Sequence, residues 1–459
     1  MSADDAKQQA TNGFSTRHSR RNVIKTGAAL GLSTTAVGAG LSHTMASPSS
    51  SSGTSRAKAQ DNITLQVSVW LGEAELQAMG ELGARYTEAH PNVTVEYINI
   101  VDGGPFGRDK LQQMIAGGDS PDIMMLNTGQ FEAFGSRGAM ADLDERIAAE
   151  SYDTSIYWPA AVEGCKIDGK VFGLPKDISD HIVYLNTDLF EAAGVELPTS
   201  EWTWDEFRDI ATQLTDADNQ QWGITIDNAV WQWGGFVIPN GGQIMNDDRT
   251  ECLLNTPEAI AALEVFFGFM TTDGVSVPPG TLPQTPGSGT QFLSSITAMQ
   301  MAGPWFRPGL VENEPFNWTI RLFPRPGAEA PTSILYTDQW SMSSETEYPD
   351  EAWELLKFLG GIEGQTIWSE IYGSRSITPI QAIAESDAWL GYGGEAHRAD
   401  NQTILDQLEK TVPPPINFGD GAEVDNIWNE QFELVIVGQQ SVEQAVQTIT
   451  DSVNSVLQS

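Results

Sequence analysis

Ile63-Thr64-Leu65-Gln66-Val67-Ser68-Val69-Trp70 alternates apolar and polar residues at a period of two. That is the pattern of a strand with one covered face. Residues 73–89 then carry apolar residues at helical spacing, and Pro91 ends the run. Val93 to Ile100 reads as a second strand and Arg108 to Ala116 as a second helix. Gly117-Gly118-Asp119-Ser120-Pro121 reads as a turn and Asp122 to Leu126 as a third strand. The order β-α-β-α-β predicts a parallel sheet covered by helices. Ligands of such sheets lie beyond the carboxyl ends of the strands. Here those ends are Trp70-Leu71-Gly72-Glu73, Val101-Asp102-Gly103-Gly104 and Asn127-Thr128-Gly129-Gln130. Gly103-Gly104 lacks the Lys-Ser/Thr of a phosphate-binding loop and reads as a turn.

The chain has 459 residues, enough for two or three domains, and 40% of them are hydrophobic. Its 62 acidic residues face 24 basic ones, a formal net charge of −38. That charge repels nucleic acid and anionic membrane surfaces. Acid spread along the chain with little lysine is the surface of a salt-adapted protein, because concentrated salt screens the self-repulsion.

Residues 1–46 read as a targeting segment. Ser19-Arg20-Arg21-Asn22-Val23-Ile24-Lys25 has the paired arginines of the twin-arginine export signal. A short, weakly apolar stretch from Gly27 to Leu41 follows, and Thr44-Met45-Ala46 offers small-residue cleavage. Residues 47–60 form a Ser-rich linker. No cysteine stands in 27–50 to carry a lipid. The only cysteines, Cys165 and Cys252, read either as a disulfide or as two buried thiols, and two cannot build a cysteine metal site.

Further along, Thr203-Trp204-Asp205-Glu206 and Ser441-Val442-Glu443-Gln444 are capping boxes. Thr256-Pro257 is an N-cap followed by proline at the first helical position. Val275 to Ser288 reads as a loop. Trp204, Trp353 and Trp368 fall at core spacing on helices and are expected to pack. Trp70, Trp231, Trp233, Trp305 and Trp340 stand in or beside turns among polar residues. Indole rings there suit the apolar C–H faces of sugars, with nearby Asp, Asn, Gln and Arg for the hydroxyls. His90, His181 and His397 are scattered without ligand or triad spacing, and no Gly-x-Ser-x-Gly elbow exists. No catalytic residue, metal site or cofactor is expected. Carboxylates are abundant, so a glycosidase pair is not removed by spacing alone.

Six segments in order carry a family resemblance: Gly117-Gly118-Asp119-Ser120-Pro121-Asp122-Ile123, Gly169-Lys170-Val171-Phe172-Gly173-Leu174-Pro175, Tyr184-Leu185-Asn186-Thr187-Asp188-Leu189-Phe190, the Glu201 to Phe207 stretch, Ala298-Met299-Gln300-Met301-Ala302-Gly303-Pro304-Trp305, and Glu351-Ala352-Trp353-Glu354-Leu355-Leu356-Lys357-Phe358-Leu359. From about Asp61 onward the chain resembles the extracellular solute-binding proteins of ABC importers, in the sugar-binding class that includes maltose-binding protein. With the acidic surface and twin-arginine signal, the resemblance points to a salt-adapted, archaeon-like source. It implies an α/β, two-lobe periplasmic-binding-protein-like fold of type II, each lobe a sheet flanked by helices, hinged to close on a ligand. Lobe one would be 61–175 with 341–388, and lobe two 177–339 with 389–459. The crossings would lie near 175–178, near 340–341 and past Pro379.

The same resemblance assigns ligand contacts to Trp70, Glu73, Asn127, Gln130, Asp177, Ser179, Trp231, Trp233, Trp305, Trp340 and Arg375, with Trp428 open between cleft and core. It implies a monomer that captures a sugar or related polyol and delivers it to ABC permease transmembrane subunits. The protein would be extracellular and held at the membrane by an unidentified tether. The alternatives are an extracellular glycosidase or lyase, and a sensor subunit.

Overall fold

The computed structural model describes residues 62–199, 201–246, 250–279, 281, 287–327, 333–373, 376–408, 411–412 and 421–458. The targeting segment, the linker and Arg375 lie outside these residues.

In chain order the elements used below begin with β1 (Ile63–Val69), α1 (Glu73–Ala89), β2 (Val93–Asn99), α2 (Arg108–Ala116), β3 (Ile123–Leu126) and α3 (Thr128–Gly135). Then come β4 (Leu174–Ser179), β5 (Ile182–Asn186), α4 (Trp204–Gln213), β6 (Trp222–Thr225), α5 (Val230–Val237) and α6 (Pro257–Gly268). The last are β7 (Thr297–Ala302), β8 (Trp318–Leu322), β9 (Tyr336–Met342), α7 (Pro349–Gly360), α8 (Ile362–Tyr372), α9 (Arg398–Leu408), α10 (Gly421–Ile436) and α11 (Val442–Leu457).

The β-α-β-α-β run matches its sequence reading to within a residue at each end. β1 pairs in parallel with β2 and β3. Its first half buries one face only, Ile63 and Leu65 inward with Thr64 exposed, whereas Val67, Ser68 and Val69 are all buried. The strand thus runs from a solvated end into a position covered on both sides. The sheet is not purely parallel, however. Its order is β2-β1-β3-β9-β4, and β9 runs antiparallel to both of its neighbours. A second sheet has the order β8-β5-β7-β6, with β5 antiparallel to β8 and β7.

Local rules explain the helix starts. Thr203 Oγ1 accepts from the Glu206 N–H at 3.3 Å, and the Glu206 carboxylate accepts from the Thr203 N–H at 2.7 Å. Ser441 and Gln444 repeat the arrangement at α11. At α6, Pro257 takes the first turn as expected, but the Thr256 side chain makes no capping bond. Ser288 opens the helix Ser288–Leu293 instead of closing the loop.

Each sheet is covered by its own apolar cluster. The first gathers Leu65, Val67, Val69, Leu174, Trp340 and Met342 with Trp353, Leu356 and Leu359 of α7. The second gathers Trp202, Trp204, Phe207, Trp233, Phe236 and Phe266 with Trp428 and Phe432 of α10. Burying one indole removes about 150–250 Å² from water, a gross gain of roughly 4–6 kcal/mol. A tryptophan that can reach such a cluster will stay there. Trp204 and Trp353 do so, and Trp368 packs partly buried against the first cluster. Cys165 and Cys252 are separate buried thiols, and burial pushes the pKa of both up.

β4 runs directly through Asp180 and His181 into β5, and β9 returns beside β4, pairing Tyr336 with Ser179 and Asp338 with Asp177. A third strand-like contact joins them, where the Ile178 N–H donates to the Ile377 carbonyl at 2.9 Å. Two of the expected boundaries lie within secondary-structure elements. The boundary at 340–341 falls inside the first sheet, because Trp340 pairs with Met125 on one side and Leu174 on the other. The boundary at 388 falls inside the helix Asp387–Leu390, and Ile377, Ala384 and Trp389 share a cluster with Ile182, Tyr184 and Trp318. The same segment also meets the earlier chain, where Ile380 bridges Tyr157 and the Trp158 N–H donates to the Pro379 carbonyl at 3.0 Å.

Candidate functional site

At the carboxyl edge of the first sheet, Trp70 closes β1. Its indole N–H donates to the Met125 carbonyl at 3.2 Å, and its ring meets the edge of Phe106 at 4.9 Å. Phe106 has φ of 52°, a left-handed conformation that costs a non-glycine residue energy, and its ring is 51% exposed. Gln130 Nε2 holds this turn by donating to the Phe106 carbonyl at 3.0 Å. Asn127 and Gln130 also cap α3 reciprocally, Gln130 N–H to Asn127 Oδ1 at 2.9 Å and Asn127 N–H to Gln130 Oε1 at 3.2 Å. Two expected ligand contacts are therefore engaged in holding their own backbone. The Asn-x-x-Gln spacing was itself the signal of a capping box. Glu73 is exposed in the first turn of α1, where a carboxylate favours the helix dipole.

The second lobe contributes α5. Successive helix residues turn by about 100°, so Trp231 and Trp233 point roughly 200° apart. Trp233 is fully buried, 5.4 Å from both Trp428 and Phe432 in the apolar cluster. Trp428 is likewise core. Trp231 is half-buried and meets Trp305 edge-on at 6.0 Å. Trp305 is 44% exposed, and its ring folds back over Gly303, where any Cβ would lie 1.9 Å from the indole. Trp340, also expected to contact ligand, is buried at the centre of β9 among both neighbouring strands and α7.

Two residues that the sequence reading left out complete the aromatic group. Tyr336, at the start of β9, lies 5.2 Å from the His181 ring and donates its hydroxyl to the Trp231 carbonyl at 3.4 Å. His181 is fully buried and lies 5.2 Å from Trp231 and 6.2 Å from Trp305. Burial pushes its pKa down to about 3, so the ring is neutral. Its backbone N–H donates to Ser333 Oγ at 2.9 Å, and its carbonyl accepts from Gln407 Nε2 at 3.0 Å. Asp180 beside it also accepts from Gln407, and burial pushes its carboxyl up to about 7 against that hydrogen bond. Ser179 is buried, and its Oγ has no hydrogen-bond partner among the described residues. Because Tyr336 pairs with Ser179 and Thr128 Oγ1 donates to the Thr337 carbonyl at 3.0 Å, this group continues the edge that carries Trp70 and Asn127.

Asp177 belongs to a different environment. Lys176 pairs with it at 2.5 Å, and Asp338 faces it across β4 and β9. Burial, and then the Asp177 charge, hold the Asp338 carboxyl well above the usual range, and Asp338 hydrogen-bonds Asp177. Lys176, buried alongside, stays charged because Asp177, Glu75 and Asp338 outweigh its desolvation. Two carboxyls in direct hydrogen bond lie closer than the ~5 Å of a retaining glycosidase pair or the wider spacing of an inverting one. Among the described residues no group of three or more His, Cys, Asp or Glu is arranged to hold a metal ion. None of the described helices is long and apolar enough to cross a membrane. A cavity of about 460 Å³ opens at the opposite, amino edge of the first sheet, lined by Glu96, Asp119, Asp122, Glu345 and Glu347. With Tyr348 as its one ring, it lacks the stacking surface of the Trp231 group.

With this architecture, the chain belongs to the bacterial extracellular solute-binding protein family, whose profile matches residues 72–366. Among its relatives is the lactose-binding protein of Rhizobium radiobacter, 26% identical over 422 residues, 86% of this chain and 93% of that protein. A protein of Brucella abortus is 25% identical over 262 residues, and the match spans 54% of this chain and 61% of the relative. Among solved structures, an ABC substrate-binding protein of Listeria monocytogenes in complex with cycloalternan superposes with a TM-score of 0.76 at 26% identity, covering 86% of this chain and 98% of that one. Maltose-bound MalE3 of T. maritima shares the fold, with a TM-score of 0.72 at 17% identity over 86% of this chain and 99% of its own. Family and neighbours alike are binding proteins.

Proposed function

We propose that this protein is the extracellular substrate-binding component of an ABC transporter that captures a sugar or oligosaccharide between its lobes and delivers it, unchanged, to a membrane permease. The observation that carries the reading is the aromatic group of Trp231, Trp305 and Tyr336 at the carboxyl strand edge. Half-exposed indoles beside buried polar atoms suit a ligand that is apolar on its faces and hydroxylated at its rim. The relatives named for lactose and crystallised with cycloalternan or maltose support the same class. Trp70, Phe106 and Ser179 complete the proposed site, while Glu73 and Asp177 lie at its margin. Closure is proposed about β4 and β9, driven by contacts that a ligand makes with both lobes only when they meet. The protein acts as a monomer and without turnover. Export runs through Arg20-Arg21, and the acidic surface adapts the protein to high salt.

A thermal-shift screen in molar salt tests the function, since a ligand bound only by the folded state raises the Tm. A mono- or oligosaccharide is expected to raise it. A panel of saccharides that leaves the Tm unmoved, with an amino acid or peptide that raises it, overturns the reading. Replacing both Arg20 and Arg21 by lysine is expected to leave the protein inside the cell.

A further inference from the structure

His181 stands where β4 hands over to β5, its backbone N–H donating to Ser333 Oγ and its carbonyl accepting from Gln407 Nε2. Four rings enclose its imidazole: Trp231, Tyr336, Phe323 at 5.7 Å and Trp305. Both ring nitrogens are buried without a hydrogen-bond partner among the described residues. A leucine would fill such a space without leaving two polar atoms unpaired, each a cost that packed interiors rarely retain. Nδ1 faces α5 at Gly235, where an added Cβ would come within 3.6 Å of it. Nε2 is the nitrogen left for another partner.

The walls around the ring are unequal. Phe323 is core and Tyr336 is tied to the Trp231 carbonyl. Trp305 is different. It sits in the three-residue segment Pro304–Phe306, is 44% exposed, and rests its ring on its own Gly303. Trp305 belongs to none of the apolar clusters and is the most exposed of the four rings, so rotating its indole away disturbs the least packing.

We propose that Trp305 is a movable cover and that His181 is a specificity-determining ligand contact beneath it, its Nε2 hydrogen-bonding a hydroxyl of the bound saccharide while Trp231 stacks on the sugar face. A neutral imidazole carries one donor and one acceptor, and a hydroxyl answers either, so the pairing holds for both tautomers. The ligand half of the proposal rests on the saccharide reading above, and the cover does not.

The test has two arms, both on the folded exported protein. In the first, diethyl pyrocarbonate at pH 7 modifies accessible imidazoles, and mass spectrometry follows each histidine. His181 is expected to react about tenfold faster in Trp305→Ala than in the parent protein, because the variant removes the opening step. His90 and His397 should keep their rates. An unchanged His181 rate overturns the cover. In the second arm, ¹⁵N NMR of the ring nitrogens is followed during titration with maltose, lactose, D-tagatose and mannitol, and His181→Gln assigns the signal. A binding saccharide is expected to shift the His181 Nε2 resonance. His181→Leu should weaken that saccharide about tenfold, with Gln retaining part of the affinity, by loss of one hydrogen bond. A saccharide that binds without moving this resonance overturns the contact. If none of the four binds, the saccharide reading and the contact fall together, and the first arm still decides the cover.

Discussion

The two edges that meet at Tyr336 use their polar groups in opposite ways. On the first sheet, Asn127 and Gln130 bond to each other and to the Phe106 turn, and Trp70 donates to the Met125 carbonyl. Where β4 passes into β5, Ser179 Oγ and both nitrogens of His181 stay buried with no partner among the described residues, the imidazole lying beside Trp231 and Trp305. Hydrogen bonds made within the chain stiffen a surface but leave it little to offer a ligand. Polar atoms kept back beside exposed rings do the reverse. The first lobe therefore reads as a rigid cover that brings Trp70 and Phe106, and the second lobe as the side that discriminates.

The strongest way to break this contrast lies within α5. Trp233→Ala should cost about 3–5 kcal/mol of unfolding free energy in denaturant titrations, as core aromatic truncations do, while Trp231→Ala should cost under about 1 kcal/mol. Equal losses would mean that the two faces of the helix are not distinct.

In ligand titrations the order inverts. Trp231→Ala should weaken the saccharide roughly 5- to 100-fold, and Trp70→Ala or Phe106→Ala less than about tenfold. A larger effect in the first lobe would reverse the assignment of cover and discriminating side.

The pH response separates the buried pair. The Asp180 carboxyl is pushed up from 3.8 to about 7, so the folded state holds that proton more tightly. Its contribution is complete below 3.8 and is lost as pH rises to about 7. His181 is pushed down from 6.5 to about 3, so its contribution is complete above 6.5 and is lost as pH falls towards 3. Between about pH 4 and 6.5 the two slopes oppose each other. Relative to the parent protein, Asp180→Asn should gain stability with rising pH across this window, by up to about 1.4 kcal/mol per unit, and His181→Gln should lose it. Denaturant midpoints at four or five pH values measure both, and parallel curves would remove the pair from the account.

Asn127→Ala should cost about 1 kcal/mol through loss of the cap, with ligand affinity changed less than about threefold. A large affinity loss would show that Asn127 contacts ligand after all. Smallest of all is the Arg108–Asp425 pair, 2.9 Å apart and linking α2 to α10 across the lobes. A double-mutant cycle on ligand affinity should find under about 1 kcal/mol of coupling, falling with salt, because both side chains keep contact with water.

Much of the first lobe was legible because its signals are local. β1 and α1 follow from periods of two and 3.6, and the starts of α4 and α11 from Thr203 with Glu206 and Ser441 with Gln444. The candidate site was legible only in part. Composition and turn context picked out Trp70, Trp231 and Trp305, which the structure leaves partly exposed, and by the same reasoning Trp233 and Trp340, which it buries. Turn context cannot report which way a ring faces. His181 was passed over because its sequence neighbours say nothing of the four rings that enclose it.

Chain length, acidity, the paired arginines, the β-α-β-α-β run and the capping boxes are properties of neighbouring residues, and the sequence by itself determined them. The insertion of β9 between β3 and β4 pairs strands separated by more than 150 residues, and only the tertiary structure decided it. That one pairing buries Trp340, sets Asp338 against Asp177 and brings Tyr336 to His181. The reason is physical. Periodicity and capping are decided within one or two helical turns, whereas a site made of rings and unpaired polar atoms depends on which distant segments share a sheet.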